Sequence, residues 1–199
     1  MKVVLATRNP HKLREIREIF RLPGLEVVSL DEFPGAPEVE EDGSTFEANA
    51  RKKAVTLARF SGHLTMADDS GLEADALGGQ PGVRSARYAG EPPDWQANNR
   101  KLLRELEGRH DRGARFVCSI ALARPAAGVD TVEGTCEGWI CETPRGENGF
   151  GYDPLFVPSG YELTFAEMEP GLKNRISHRA AALRLARSSW IDALGGGSD

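Results

Sequence analysis

Residues 3–10 read VVLATRNP, a stretch that predicts a buried strand, a polar loop and the start of a helix. Asn9 can cap that helix, and Pro10 suits its first position, where the missing N–H of proline costs nothing. Leu13 and Ile16 continue at helical spacing. The succession of strand, loop and helix start is typical of α/β proteins, and it forms an anion-binding geometry.

The rest of the chain predicts further strands and helices and then two long strands with period-two alternation. The predicted elements are a strand near 25–28, a helix from Ser44 or Thr45 to about 61, a strand over 64–67, a helix over 94–106, strands over 115–123 and 131–141, a short strand over 155–157 and a helix from Ser177 to about 194. Proline and glycine between the two long strands favour an antiparallel hairpin. Together these patterns predict an α/β fold with a mixed β-sheet, a single domain over 1–194 and a flexible tail at 195–199.

The amino-acid composition argues against several classes of protein. The 199 residues are 40% hydrophobic, which is ample for a core and excludes disorder of the whole chain. A net charge of -5 argues against a general nucleic-acid binder or an anionic-membrane binder. The three cysteines lack a C-x-x-C spacing, and the first apolar run is too short for a signal peptide or a membrane span. We therefore expect reduced, buried thiols and a cytoplasmic protein.

Residues 66–72, MADDSGL, place two adjacent carboxylates after a short apolar run. Such a pair is costly to bury without partners, so it predicts contact with water, a cation or a cation-bound substrate. The alternative is an ordinary turn, since Asp, Ser and Gly are common turn residues. Glu40 and Glu41, in an acidic loop, could complete a metal site with Asp68 or Asp69. Oxygen ligands fit Mg²⁺ or Mn²⁺ and disfavour zinc.

Two further segments carry polar groups suited to an anionic, planar ligand. Residues 7–12 place a hydroxyl, an amide and an ammonium around a helix N-terminus, which suits phosphate oxygens, although an ordinary cap with surface cations is the alternative. Residues 149–154, GFGYDP, combine aromatic rings with flexible glycines and a carboxylate, so a planar base could stack there.

The start of the last predicted helix carries cations against the helix dipole. His178 and Arg179 lie in its first turn, after Lys173, whereas a helix N-terminus prefers acids. This placement favours an anionic or carbonyl-bearing ligand. A satisfied surface arginine beside a capped histidine is the alternative.

Taken in order, six segments strongly resemble the Ham1-like, or inosine triphosphate pyrophosphatase, family, and they span nearly the whole chain. The segments are Leu5-Ala6-Thr7-Arg8-Asn9-x-x-Lys12, Glu40-x-x-Gly43-x-Thr45-Phe46, Ala67-Asp68-Asp69-Ser70-Gly71-Leu72, Pro81-Gly82-Val83-x-Ser85-Ala86-Arg87-Tyr88, Gly149-Phe150-Gly151-Tyr152-Asp153-Pro154 and Lys173-x-x-x-Ser177-His178-Arg179. Arg8 departs from the pattern, because many members have glycine there.

The resemblance implies a Mg²⁺-dependent hydrolase that converts ITP, dITP and XTP to the monophosphate and pyrophosphate. It implies a homodimer whose subunit has an elongated mixed sheet flanked by helices, with two lobes and a central cleft. The implied triphosphate site is Thr7, Arg8, Asn9, Pro10, His11 and Lys12, with Ser70 supporting the phosphates. The implied metal site is Glu40 and Asp69, with Asp69 also the base toward water. The implied base pocket is Phe150, Gly151, Tyr152, Asp153, Lys173, His178 and Arg179.

Two other functions compete with this one. A Maf-like pyrophosphatase or another nucleotide phosphohydrolase is disfavoured because the chain lacks a Ser-Pro-Arg-Arg type loop after the first strand. A silent nucleotide-binding module is disfavoured because the acids are intact.

Hydrogen bonding gives a physical route to base selectivity. The 6-oxo group of hypoxanthine accepts a hydrogen bond from Lys173 or Arg179, whereas the amino group of adenine is itself a donor and would leave these donors unpaired. We expect Asp153 to accept the N1–H that adenine lacks.

Overall fold

The computed structural model describes residues 1–20 and 24–190. Its strands are β1 (Lys2–Leu5), β2 (Glu26–Ser29), β3 (Leu64–Ala74), β4 (Gly113–Ala123), β5 (Val129–Ile140) and β6 (Phe156–Pro158). Its α-helices are α1 (Pro10–Ile19), α2 (Phe46–Ser61), α3 (Trp95–Glu105), α4 (Pro170–Ile176) and α5 (His178–Trp190). Short 3₁₀ segments occupy Leu30–Glu32, Asp75–Leu77 and Gly82–Arg87.

The six strands form one mixed sheet in the order β2-β1-β3-β4-β5-β6. Strand β1 pairs in parallel with β2 and with β3, whereas β5 pairs antiparallel with β6. The turn between β4 and β5 is closed by a hydrogen bond from Arg124 N to Gly128 O of 3.3 Å, too short a connection for a parallel crossover. The predicted α/β fold with a mixed sheet is confirmed.

Local sequence signals place the helix ends. The Asn9 side chain accepts hydrogen bonds from the backbone N of His11 and Lys12 at 2.9 and 3.4 Å, and α1 then begins at Pro10. Thr45 caps α2 in the same way, and Gly62, with φ 67°, ends it in the left-handed region that favours glycine. Both predicted helix starts are confirmed.

The described residues group into two compact units. The first holds residues 1–69 and 118–134 and α5 from Arg179 on. Alternation along β1 divides its core between the two faces of the sheet: Val3 and Leu5 pack with α1 and α5, whereas Val4 and Ala6 pack with α2. Neighbouring residues of a strand therefore meet different helices.

The second unit holds residues 70–117 and 135–178 and has an aromatic core of its own. The Phe116 ring meets the Phe156 ring edge-on at 4.8 Å between centroids, and Phe165 packs on Phe156 at 5.1 Å. Helix α4, which the sequence patterns did not predict, belongs to this unit. The expected tail at 195–199, and the expected last turn of α5 at 191–194, lie outside the described residues.

The prediction for the acid pair needs a correction. Strand β3 does not stop at Ala67; it continues to Ala74, so Asp68 and Asp69 lie inside a strand and not in a turn or at a strand end. Both are buried, with 3% and 7% of their surface exposed. The strand tolerates them because basic side chains reach them from the adjoining helices.

The three cysteines are buried and unbridged, in agreement with the expected free thiols. Burial raises the pKa of the Cys118 thiol to about 12 and that of Cys136 to about 11. Separately, none of the helices within the described part of the chain has the length and apolar character needed to cross a membrane.

Candidate active site

Asp68 lies on the face of β3 that meets α1 and α5. Its Oδ2 is 3.0 Å from the Lys12 ammonium of α1 and 3.2 Å from the Arg179 guanidinium of α5. Arg179 also binds Glu15 of α1. Burial alone would raise the pKa of Asp68, but Lys12 and Arg179 hold that pKa well below its usual range. Asp68 is therefore ionised at neutral pH, and it joins two helices to the sheet.

Asp69 points to the opposite face, toward α2. Asn49 Nδ2 donates to its Oδ2 at 3.0 Å, and the Lys53 ammonium lies 3.7 Å from its Oδ1. Burial raises the pKa of Asp69, and the attraction of Lys53 offsets this only in part. A carboxylate with a raised pKa that is oriented by an amide is suited to accept a proton. The structure therefore distinguishes the two acids, a distinction that the residues alone left open.

Lys53 is a site residue that sequence reasoning missed. Its ammonium is 2.7 Å from Glu41 Oε1 and 2.5 Å from the backbone oxygen of Asp68, in addition to its contact with Asp69. Burial alone would lower the pKa of Lys53, but the negative charges of Asp69, Asp68 and Glu41 outweigh burial and raise the pKa above its usual value. Lys53 therefore stays charged. The signal was present in the sequence, because Lys53 lies beside Ala54 on the buried stripe of α2, where a cation needs a partner.

The loop before α1 is ordered by its own polar groups. Thr7 Oγ1 accepts from Asn9 N at 3.1 Å, and the Arg8 guanidinium donates to Ala36 O at 3.2 Å. Pro10 and His11 are exposed at the helix start, and Lys12 is the third residue of α1. Backbone N–H groups at this end carry partial positive charge, which suits an anion.

In the second unit, the glycine-rich segment 149–153 closes around one carboxylate. Asp153 Oδ2 accepts from Phe150 N at 2.7 Å and from the Lys173 ammonium at 2.7 Å. The same ammonium lies 5.1 Å from the centre of the Phe150 ring. Gly149 has φ 75°, and a Cβ there would lie 2.0 Å from Asp153 Oδ2, so only glycine fits. Three predicted base-pocket residues, Phe150, Asp153 and Lys173, are thus in mutual contact.

His178 and Arg179 are consecutive but have different surroundings. The His178 ring stacks on Phe116 with 4.6 Å between centroids and a 12° interplanar angle, inside the second unit. Arg179 contacts Asp68 and Glu15 in the first unit. Ser70, which follows Asp69, is partly exposed at the start of the second unit. Contact of His178 and Arg179 with a base stays a prediction, as does the shared cleft.

The acids of the first unit include the two expected magnesium ligands, Glu40 and Asp69. Glu40 is exposed in the acidic loop, whereas the neighbouring Glu41 is the one that reaches Lys53. Across residues 1–20 and 24–190, no group of three or more His, Cys, Asp or Glu side chains is arranged to hold a metal. Mg²⁺ is commonly held by one or two carboxylates together with substrate phosphates, so a magnesium site with Glu40 and Asp69 stays a prediction.

Comparison with known proteins assigns the family. The model of the Ham1 family matches residues 3–189, nearly the whole chain. The chain belongs to the Ham1 family. The Ham1 relative named dITP/XTP pyrophosphatase from Desulforamulus reducens is 56% identical over 188 residues, which cover 94% of each chain. A protein of the same name from an Exiguobacterium species is 49% identical over 196 residues, covering 98% of this chain and all of that one.

Solved structures of Ham1 proteins have the same fold. The Staphylococcus aureus Ham1 protein is 40% identical, with a TM-score of 0.88, over 97% of this chain and all of that one. The HAM1 protein of Coxiella burnetii is also 40% identical, with a TM-score of 0.89, over 96% of this chain and 99% of that one. The expected family and its fold are therefore confirmed for this Ham1 chain.

Proposed function

We propose that this protein is a nucleoside triphosphate pyrophosphatase that hydrolyses ITP, dITP and XTP to the monophosphate and pyrophosphate, removing deaminated purines from the nucleotide pool. The observation that carries the proposal is Asp69, a buried carboxylate with a raised pKa, oriented by Asn49 and flanked by Lys53. Relatives about 50% identical over nearly their whole length carry the name dITP/XTP pyrophosphatase.

The start of α1 supports the proposed triphosphate-binding site. Thr7, Arg8, Asn9, Pro10, His11 and Lys12 surround a helix N-terminus, and Ser70 directly follows Asp69. Lys12 neutralises charge that develops on the leaving pyrophosphate, and electrostatic stabilisation of this kind is usually the largest single contribution to catalysis. Its contact with Asp68 holds the ammonium in place before substrate arrives.

Asp69 acts as the general base in the proposed step. Its carboxylate takes a proton from a water molecule while the water oxygen forms a bond to phosphorus and the bond between the α and β phosphates breaks. Asn49 fixes the carboxylate orientation, and the positive charge of Lys53 favours its ionised form. A covalent nucleophile is not needed.

Magnesium, with manganese as a possible substitute, is the proposed cofactor. Asp69 and Glu40 would hold it together with the phosphates, and when bound it supplies charge neutralisation and polarises a phosphate oxygen. Lys53 supplies a further positive charge beside this site, because its ammonium binds Glu41 and lies next to Asp69.

The purine end is assigned to the glycine-rich segment and α4. Phe150 offers a stacking ring, and Lys173, held by Asp153, donates to the 6-oxo group of hypoxanthine or xanthine. Adenine presents an amino donor at that position, which leaves the buried ammonium facing a donor. Gly151, Tyr152, His178 and Arg179 complete the pocket that the family resemblance implies. Xanthine and hypoxanthine also carry the N1–H that Asp153 is proposed to accept.

The resemblance further suggests a homodimer with no nucleic-acid partner, and the free buried thiols suit a reducing cytoplasm. Sedimentation of the purified chain tests the dimer.

Product analysis tests the function. ITP, dITP, XTP and ATP are each incubated with the protein and Mg²⁺, and the products are separated by anion exchange. The proposal expects monophosphate and pyrophosphate from the first three and a rate at least about tenfold lower with ATP. Orthophosphate as the first product would instead identify a phosphatase, preference for a modified pyrimidine a Maf-like enzyme, and tight binding without turnover a silent module.

A further inference from the structure

The first turns of α3 contact the segment that carries the base-pocket residues. Trp95 and Asn99 lie four residues apart, on one face of the helix. Asn99 Nδ2 donates to Gly151 O at 3.1 Å. The Trp95 ring meets the Tyr152 ring edge-on with 5.8 Å between centroids, and its Cζ3 lies 3.5 Å from where a Cβ of Gly151 would be. Helix α3 therefore supports the middle of this segment from one side.

The same helix is itself firmly held. Asn98 is fully buried; its Nδ2 donates to Ala86 O at 2.8 Å and its Oδ1 accepts from Ala89 N at 2.6 Å. Tyr152 adds a second tie, since its hydroxyl donates to Ser85 O at 2.9 Å. The support under Gly151 is thus anchored by side chains that are satisfied within the second unit.

At Gly151 the backbone of the segment accepts a hydrogen bond from a side chain of α3. The carbonyls on either side of it accept from the segment and its own continuation, Phe150 O from Asp153 N at 3.3 Å and Tyr152 O from Leu155 N at 2.9 Å. The Gly151 carbonyl instead accepts from Asn99. Gly151 has φ 70°, and a glycine backbone has few steric restraints, so a hydrogen bond from outside the segment restricts the conformation of the backbone at this residue.

The Asn99 amide has a second distinguishing property. Its Oδ1 is buried and has no hydrogen-bond partner within the described residues. Buried polar atoms are nearly always paired, so an asparagine kept for packing alone would be a poor choice at this position. Leucine has the same number of side-chain heavy atoms and the same branching, and it would carry no unpaired acceptor.

We propose that Asn99 is a positioning residue for nucleotide selection, which holds Gly151 so that Phe150, Asp153 and Lys173 keep the arrangement that reads the purine. This inference rests on the proposed function, because it assigns the base to that segment. Because Asn99 acts through this segment, its loss is expected to weaken binding of the base and to leave the hydrolytic step intact.

Asn99→Leu tests the proposal, with Gln96→Leu as the matched control, because Gln96 is an exposed amide on the same helix. KM and kcat are measured for ITP and ATP, and amide hydrogen exchange is measured by mass spectrometry. For Asn99→Leu we expect the KM for ITP to rise about tenfold, equivalent to 1.4 kcal/mol, with kcat within about threefold of wild type. The ITP-to-ATP preference should fall, and exchange over residues 149–153 should quicken.

The control should match wild type in every readout. Asn99→Asp keeps the shape but places an oxygen against the Gly151 carbonyl, so it should reproduce the KM effect. An unchanged KM, or a fall in kcat as large as the rise in KM, would overturn the role of Asn99. Failure of the wild-type protein to turn over ITP would instead overturn the proposed function, and hydrogen exchange would still report whether Asn99 orders the segment.

Discussion

The carboxyl groups of Asp68 and Asp69 are adjacent in β3, yet their pKa values are displaced in opposite directions. The cause is the two-residue period of a strand, which turns Asp68 toward Lys12 and Arg179 and turns Asp69 toward Asn49 and Lys53. Two cations close to Asp68 outweigh its burial, whereas burial prevails at Asp69. Asp68 therefore stabilises the fold, whereas Asp69 is the acid suited to accept a proton.

Asp69→Asn should abolish turnover without weakening the fold. We expect kcat for ITP to fall by about a thousandfold, since a general base is lost. Because the raised pKa means that the charged form is disfavoured in the folded state, and because Lys53 keeps its contact with Glu41, the neutral amide should leave the free energy of unfolding close to that of wild type. Urea unfolding at pH 7 measures this, and near-normal turnover would contradict the assignment of the base.

Asp68→Asn should have the converse effect on stability. Breaking a buried ion pair leaves Lys12 and Arg179 short of a partner, at a cost of about 3–5 kcal/mol at pH 7. The folded pKa of Asp68 lies below its unfolded value, so the stability that it contributes is present above pH about 4 and is lost as the pH falls. The difference between wild type and variant should therefore shrink in acid, and a difference independent of pH would argue against this pairing.

Lys53→Met should move the pH dependence of turnover. Methionine keeps much of the length of the side chain but removes the charge beside Asp69, so the pKa of Asp69 should rise further. The acid limb of the kcat/KM profile should shift to higher pH, and the plateau should fall by about a hundredfold. Lys52→Met is the control, since Lys52 binds Asp42 at the surface. Equal effects of the two changes would count against a role for Lys53.

Gly149→Ala should disturb the purine end selectively. Alanine at φ 75° is strained, and its Cβ would fall 2.0 Å from Asp153 Oδ2, which must then move away from Lys173. Gly160→Ala carries similar backbone strain at φ 83° but meets open space. We expect both to lose about 1 kcal/mol of stability from backbone strain, and Gly149→Ala to lose more because the buried pair of Asp153 and Lys173 is disturbed. Gly149→Ala alone should raise the KM for ITP by about tenfold or more. Similar KM values for the two variants would contradict the model of the pocket.

The elements that the sequence predicted best are those fixed by local chemistry. Asn9 and Thr45 cap helices because their side chains bond to backbone N–H groups two or three residues on, a relationship contained in a short window. The long strands β4 and β5 were likewise visible from period-two alternation, to within two residues at each end.

The features that were not predicted from the sequence depend on residues far apart along the chain. The acid pair was expected at a strand end because buried carboxylates are costly; only the fold brings Lys12, Lys53 and Arg179 to them, from up to 111 residues away, and allows β3 to continue. Lys53 could be placed on the buried stripe of α2, but the acids that it pairs with, Glu41 and Asp69, are brought to it only by the fold.

The placement of the three thiols has a practical consequence. Cys118 belongs to the first unit, and Cys136 and Cys141 belong to the second. Because a shielded, protonated thiol reacts slowly, alkylating reagents should modify each cysteine only when its surroundings open. Mass spectrometry of labelled peptides, followed over time in mild denaturant, would then report the opening of each unit separately, with no engineered label.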